Sequence, residues 1–422
     1  MSLFKLPGEL PGGSSFFRFL VARAVAIVAY QMVSVAVGWQ MYDITRKPLY
    51  LGMVGLVQFL PSLLLVLYTG HAADRYDRRK VISVAQSAEA AILLLLFLAT
   101  WGGWIASEIL FVLVFLVGVA RAFEFTANQT MTPSIVSQEE LPRALAIYGS
   151  VQQAAIITGP LLGGLVYAAG PDKVYGAAVI LFFTSALLVS RLTIRQAPPA
   201  REPASLATIF AGFAYIRSRP VLLGAISLDL FAVLLGGATA LLPIFARDIL
   251  LASPQGLGCL RAAPAVGAFL ASLCLARFPM KRRVGEIMFG AVACFGLATI
   301  GFALSRSLPL SVGLLAVLGG ADMVSVVIRS SLVQLETPDE MRGRVSAVNG
   351  LFIGASNQLG EFESGVTAAW FGTVAATVIG GIGTLAVVAI WRQLFPQLAG
   401  RDALHGSPAE GPEEGELGGQ CS

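Results

Sequence analysis

Unbroken apolar runs of about twenty residues or more, recurring from one end of the chain to the other, limit what this sequence can fold into. They fall at about 16–42, 50–70, 81–101, 105–133, 144–169 and 174–193. A second set falls at about 220–250, 255–276, 284–305, 309–335, 344–369 and 373–394. As a helix, each run is long enough to cross about 30 Å of hydrocarbon. Only 13% of the 422 residues are charged and 56% are hydrophobic, whereas soluble domains carry about 25% charge. Such a chain cannot cover its surface in water, and lipid is the solvent that suits it. A transmembrane barrel would show alternating segments of about ten residues instead. The runs therefore predict an all-α membrane protein with twelve transmembrane helices in two six-helix halves.

Lysine and arginine set the expected orientation. With the N-terminus in the cytoplasm, twenty of the 29 basic residues lie in inner loops and tails, among them Arg75, Arg78, Arg79, Lys80, Arg282, Arg283, Arg342 and Arg344. Five (Arg46, Lys47, Lys173, Arg247 and Arg306) lie in outer loops, and Arg23, Arg121, Arg261 and Arg329 lie inside spans. Inner loops of membrane proteins carry the excess of positive charge, so both termini are expected in the cytoplasm. The first run is too long for a signal-peptide core and reads as a retained helix.

The expected organisation is an N-terminal bundle over 1–195, a linker over 196–219, a C-terminal bundle over 220–395 and a disordered tail over 396–422. Within the linker, Leu206, Ile209, Phe210, Phe213 and Ile216 recur at helical spacing, which predicts a helix lying on the cytoplasmic membrane surface. The two bundles repeat. At an offset of 201, Glu139, Arg143, Ala146, Gly149, Gly159 and Gly164 meet Glu340, Arg344, Ala347, Gly350, Gly360 and Gly365. Earlier in each bundle, Asp43-Ile44 meets Asp248-Ile249 and Leu51-Gly52 meets Leu257-Gly258. Parallel repeats of this kind mark transporters whose halves rock about a central site.

Other classes find little support. The net charge of +4 comes without basic runs interleaved with aromatics, so nucleic acid is not an expected partner. Four cysteines without CxxC spacing and two histidines predict neither metal site nor disulfide framework. No cofactor is expected, no Walker A pattern points to ATP, and no nucleophile–base constellation points to an enzyme.

Between the second and third runs stands Gly70-His-Ala-Ala-Asp74-Arg75-Tyr-Asp77-Arg78-Arg79-Lys80. This resembles the G-x-x-x-D-R-x-G-R-R-K signature of the major facilitator superfamily, with Asp77 where the pattern has Gly. The resemblance extends over all twelve runs and implies the major facilitator fold. It also implies a gating latch of Gly70, Asp74, Arg75, Arg78 and Arg79, in which the acid meets the start of the eleventh helix near Arg342-Gly343-Arg344. In the fifth run, Gly159-Pro160-Leu-Leu-Gly163-Gly164 is similar to the GPxxGG core of an antiporter motif, although a small-residue packing face explains the same residues. Arg342 to Asn349, the Gly360-to-Gly365 segment and the Asp74-to-Arg79 loop most resemble the enterobactin-exporter branch. That resemblance implies proton-driven export across a bacterial inner membrane by a chain expected to be a monomer.

Charged residues inside spans are costly and are functional candidates by default. Arg121, Glu124 and Asn128 share one face of the fourth run. At the same offset of 201, Asp322, Ser325 and Arg329 share one face of the tenth. In this superfamily the first, fourth, seventh and tenth helices line the central cavity, which draws in Arg23 and Asp229. Interhelical glue is the plainer reading of all of these. In the eleventh run Glu361 and Glu363 point to different sides, with Asn357 and Ser364 on the Glu361 face and Ser356 and Thr367 beside Glu363. Glu361 is the leading candidate for proton coupling, and Glu89 in the third run is open to either reading. The expected function is a secondary transporter working by alternating access, with a siderophore- or drug-like substrate and protons as partners. A substrate–proton symporter, a lipid transporter, or a membrane receptor or scaffold are the alternatives.

Overall fold

The computed structural model describes residues 11–129, 131–194, 206–280 and 282–403, and no strand occurs among them. The first half of the chain forms α1 (Gly13–Thr45), α2 (Pro48–Leu64), α3 (Val66–Arg75), α4 (Arg78–Trp101), α5 (Ser107–Asn128), α6 (Met131–Ile135), α7 (Leu141–Tyr167) and α8 (Pro171–Ser190). After α9 (Leu206–Ser218) come α10 (Pro220–Leu235), a 3₁₀ turn at Ala238–Leu241, α11 (Leu242–Ile244) and a π turn at Phe245–Ile249. The remainder is α12 (Pro254–Arg277), α13 (Val284–Leu304), α14 (Leu308–Glu336), α15 (Asp339–Phe371), α16 (Thr373–Leu394) and α17 (Pro396–Ala399).

Among the described residues, ten helical stretches are long and apolar enough to cross a membrane. The two other expected spans are helical but differ in kind. The run at 50–70 is divided at Leu65 into α2 and α3, four residues after Pro61. The run at 344–369 lies within the 33-residue α15, which is more polar than the ten because it carries residues such as Asn357, Glu361 and Glu363. The seventh run is likewise uneven. A break at Gly236-Gly237 ends α10, and a π turn follows.

Helices α1, α2, α4, α5, α7 and α8 pack on one another, as do α10, α12, α13, α14, α15 and α16. Two seams join these groups, α2 against α15 and α7 against α12. We call the end holding the start of α1 and the helix α9 the basic end, and its opposite the far end. Trp101, Trp104, Trp370 and Phe371 are all exposed at the far end, the position of an interfacial aromatic belt.

Two stretches differ from expectation. Helix α9 does more than lie flat: Ile216 is fully buried, Tyr215 donates to the Glu336 carbonyl (2.9 Å), and a Cβ on Gly212 would stand 2.7 Å from the Arg344 carbonyl oxygen. The side chains of Leu206 and Ile209 lie outside the described residues, and Phe210 is exposed. The expected tail also begins too early. Leu398 is fully buried, Arg401 pairs with Glu336 (2.7 Å), and Asp402 accepts from the Arg283 amide (3.0 Å). The carbonyls of Arg401 and Asp402 take the amides of Gly285 and Val284. Residues 401–402 thus satisfy orphan N–H groups at the start of α13, with an acid at the positive end of its dipole. The rest of the tail, 404–422, lies outside the described residues.

Candidate functional site

The charged candidates gather into three places. In the first half, Glu124 of α5 is buried, and its Oε1 accepts from Arg23 of α1 (2.9 Å), Gln86 of α4 (3.0 Å) and Asn128 (3.1 Å). Arg23 also donates to the Tyr148 hydroxyl of α7 (3.0 Å). Arg121 lies 4.0 Å from Glu124 and covers the ring of Tyr30 on α1, its guanidinium carbon 3.3 Å from the centroid. Three helices, α1, α4 and α5, therefore converge on one carboxylate, and Arg23 ties α7 to it through Tyr148. Beside it, Glu89 is fully buried and neither of its carboxyl oxygens has a hydrogen-bond partner.

In the second half, Arg329 of α14 pairs with Asp229 of α10, both almost fully buried, and Ser325 lies 3.5 Å from the same carboxylate. Asp322 shares a small cavity with Asp229, Ala232, Phe295 and Ser325. The two networks are related by the repeat with the charges exchanged. The first half sets an arginine on α1 against an acid on α5, and the second sets an acid on α10 against an arginine on α14.

The third place is the seam itself. A Cβ on Gly164 of α7 would stand 2.5 Å from the Pro254 carbonyl oxygen and 3.1 Å from the Gly258 Cα. A Cβ on Gly365 of α15 would stand 2.7 Å from the Gly52 Cα. Gly164 with Gly365, and Gly52 with Gly258, are the glycine pairs related by the sequence repeat, so the two seams are copies of one contact. Toward the basic end of these same helices, added side chains at Gly149, Gly343 and Gly350 would meet nothing within 4 Å. The groups are thus packed together at the far end, while these three glycines near the basic end touch no neighbour.

Charged groups reinforce the far end reciprocally. Asp43, near the end of α1, pairs with Arg247; Asp248 accepts from the Tyr42 hydroxyl and lies 3.9 Å from Arg46. Each repeated aspartate is held by residues of the other half. The π turn and the left-handed cap at Arg46 (φ 55°) are the local features that carry these residues. The sequence repeat marked the acids, but their partners follow from no spacing rule.

Glu361 faces α2, where a Cβ on Gly55 would stand 2.4 Å from its Oε2. Arg261 of α12 reaches α1, donating to Ser34 (2.5 Å), and lies close enough to Glu361 to interact with it electrostatically. Arg261 was seen in the sequence as an intramembrane charge without a role; its place at the seam becomes evident only in the fold. Glu363 instead accepts from Thr367 (2.7 Å) and Ser364 (3.5 Å) of its own helix. Asn357 is exposed and bonds the Ile353 carbonyl (2.8 Å). The structure therefore does not bring Asn357 and Ser364 to Glu361 as hydrogen-bond partners.

In the loop motif, the side chain of Asp74 lies outside the described residues. Arg75 is exposed at the end of α3, and Arg78 reaches Ser134 (3.4 Å). A side chain at Gly70 would meet nothing within 4 Å. Asp77 has an evident role: it caps α4 through the Arg79 amide (3.0 Å) and grips the Arg79 guanidinium (2.6 Å). Arg79 then reaches the Leu192 carbonyl at the end of α8 (2.7 Å). These hydrogen bonds hold the Asp77 carboxyl below its usual value of 3.8. Because the folded-state pKa is depressed, this stabilisation is present above the ordinary value and is lost as pH falls through the folded one. We expect Asp77→Ala to lower stability by about 1 kcal/mol at neutral pH, the usual worth of a cap. Equal melting of variant and wild type at neutral pH would contradict this.

In the glycine–proline motif of α7, Gly159 and Gly163 admit α1, where added side chains would press on Gln31 and Met32 at 2.5 and 2.8 Å, while Gly164 admits α12. The Pro160 carbonyl oxygen stands 2.6 Å from a Cβ placed on Gly258. The motif is a two-sided packing face, and α7 continues through Pro160.

Two repeated helix groups, seams between them and ion pairs buried within them define a polytopic membrane transporter. The profile of the transmembrane secretion effector family matches residues 11–413, and the chain belongs to that family, within the major facilitator superfamily. It is 26% identical over 415 residues to the enterobactin exporter EntS of Escherichia coli strain SMS-3-5, covering 92% of this chain and 96% of that one. The fold is similar to a bacterial homologue of the human lysosomal transporter Spinster in an inward-facing, unoccupied conformation (TM-score 0.70, 14% identity, 92% and 96% covered). It is also similar to a bacterial homologue of the iron transporter ferroportin in an inward-facing state (TM-score 0.68, 16% identity, 92% and 99% covered).

Proposed function

We propose that this transporter exports a small organic molecule, siderophore- or drug-like, across a bacterial inner membrane by alternating access in exchange for protons. The asymmetry of the seam carries this reading: paired glycines and reciprocal ion pairs close the far end, while glycines of α7 and α15 near the basic end touch no neighbour. With the basic end in the cytoplasm, as the lysine and arginine distribution favours, this is the state in which an exporter loads. Glu361 and Arg261 lie where the halves would part, so they are the polar groups assigned to ligand contact. Asp74 and the start of α15 would meet when the basic end closes. The stripe residues that form internal pairs hold the helices of each half as rigid bodies.

Similarity to enterobactin exporters makes that siderophore the first substrate to test. In everted membrane vesicles, respiration acidifies the lumen and export appears as uptake. Vesicles containing the protein should accumulate enterobactin, and nigericin should return the level to that of vesicles lacking it. Accumulation indifferent to nigericin, or none above background, would contradict the reading for this substrate and coupling ion.

A further inference from the structure

We propose that Glu89 carries the exchanged proton and that Arg121 is the counter-charge that displaces it; this rests on the exporter reading above. Glu124 has Arg23, Gln86 and Asn128; Asp229 has Arg329; Glu361 has Arg261 nearby. Glu89 accepts no hydrogen bond: its side chain is fully buried and both oxygens lack a donor. Burying an unpaired carboxylate costs far more than burying a neutral acid, so the proton belongs on Glu89 in this conformation. Asp322 also lacks an ion pair among the described residues, but it is half-buried and opens on a cavity.

The surroundings supply the rest of a proton site. Gln86 stands one turn before Glu89 on α4, and its carbonyl oxygen is itself buried and unfilled. A protonated Glu89 needs an acceptor, and on a helix the third residue back lies on the same face. The charged groups acting on Glu89 are Glu124 and Arg121 from α5 and Arg23 from α1. Arg23 is committed to Glu124 and Tyr148. Arg121 is held less firmly, with its side chain 28% exposed, stacked on Tyr30 and 4.0 Å from the nearer Glu124 oxygen.

The step is a proton transfer. The O–H bond of Glu89 breaks, the proton passes to water reaching the space between the halves, and Arg121 turns from Tyr30 to the resulting carboxylate. Tyr30 lies on α1 and Arg121 on α5, so proton loss removes a contact between two helices assigned to the cavity wall. A proton bound from outside is thereby released inside, as exchange for an exported molecule requires.

The test uses the full chain in everted vesicles with enterobactin, together with infrared difference spectra of purified protein between acid and alkaline buffer. Glu89→Gln imitates the protonated acid in shape and cannot release a proton. We expect it to lose at least tenfold of gradient-driven accumulation while retaining counterflow exchange, and Glu89→Asp to retain gradient-driven accumulation. In the infrared, a carboxylic-acid band of the wild type should vanish in Glu89→Gln. If Glu89→Gln misfolds, the Asp variant and the wild-type band under ¹³C-glutamate labelling carry the test. A gradient-driven wild type with an equally gradient-driven Glu89→Gln would overturn the Glu89 assignment and leave the exporter reading standing. A wild type indifferent to the gradient would overturn both.

Discussion

Asp229→Asn should remove most folded protein from the membrane. The substitution keeps the shape of the side chain and deletes one charge of a pair whose side chains are only 2% (Arg329) and 6% (Asp229) exposed. Breaking such a pair by removing one partner costs about 3–5 kcal/mol, because the other charge stays buried and uncompensated. Against a typical total of about 5–15 kcal/mol, that is a fifth or more of the stability. Replacing both residues, Asp229→Leu with Arg329→Met, should recover most of it, since apolar side chains of similar volume substitute well for a buried pair. The amount of monodisperse protein after mild heating would show the difference. An Asp229→Asn variant as heat-resistant as wild type would mean that Arg329 finds another partner.

The second large effect concerns the far end. Asp43→Asn combined with Asp248→Asn deletes both repeated acids and leaves Arg46 and Arg247 with like charge on either side of the seam. The acids are 35% and 42% exposed, so solvent screens each set and limits it to about 0.7 kcal/mol. Losing both shifts the balance between closed and open far ends by about tenfold, since 1.4 kcal/mol is a factor of ten. A cysteine placed at Leu257, fully buried beside Gly258, would report the opening in a background lacking the four native cysteines. Its maleimide labelling should rise about tenfold in the double variant. Unchanged labelling would show that the paired glycines alone hold the far end shut.

Much of the fold was legible because lipid leaves a chain few choices. Every buried backbone group must find its partner within a helix, and so run length alone gave the helical spans and the membrane class. The repeat was legible too, and its glycines proved informative: Gly52, Gly164, Gly258 and Gly365 are the points where the two seams touch. The candidate site was readable residue by residue but not as pairs. The stripes on α5 and α14 put Glu124 and Arg329 on shared helix faces, yet their partners Arg23 and Asp229 lie 101 and 100 residues away, beyond any helical period. Glu361 and Glu363 were separable by angle. That one meets α2 and the other its own Thr367 depends on which helix packs alongside. The Asp402 cap on α13 was illegible for the same reason, since its acid comes from 119 residues away.

Alternating access is the centre of this account, and paired spin labels test it most directly. One pair, at Lys47 and Trp370, spans the seam at the far end; the other, at Lys80 and Gly343, spans the opening at the basic end. Pulsed electron resonance would give both distances in lipid nanodiscs, in alkaline and acid buffer and with enterobactin. The account predicts a short far-end distance with a long basic-end distance in one population and the reverse in another, with pH and enterobactin moving molecules between them. Distances that stay fixed under every condition, or that lengthen and shorten together, would contradict it.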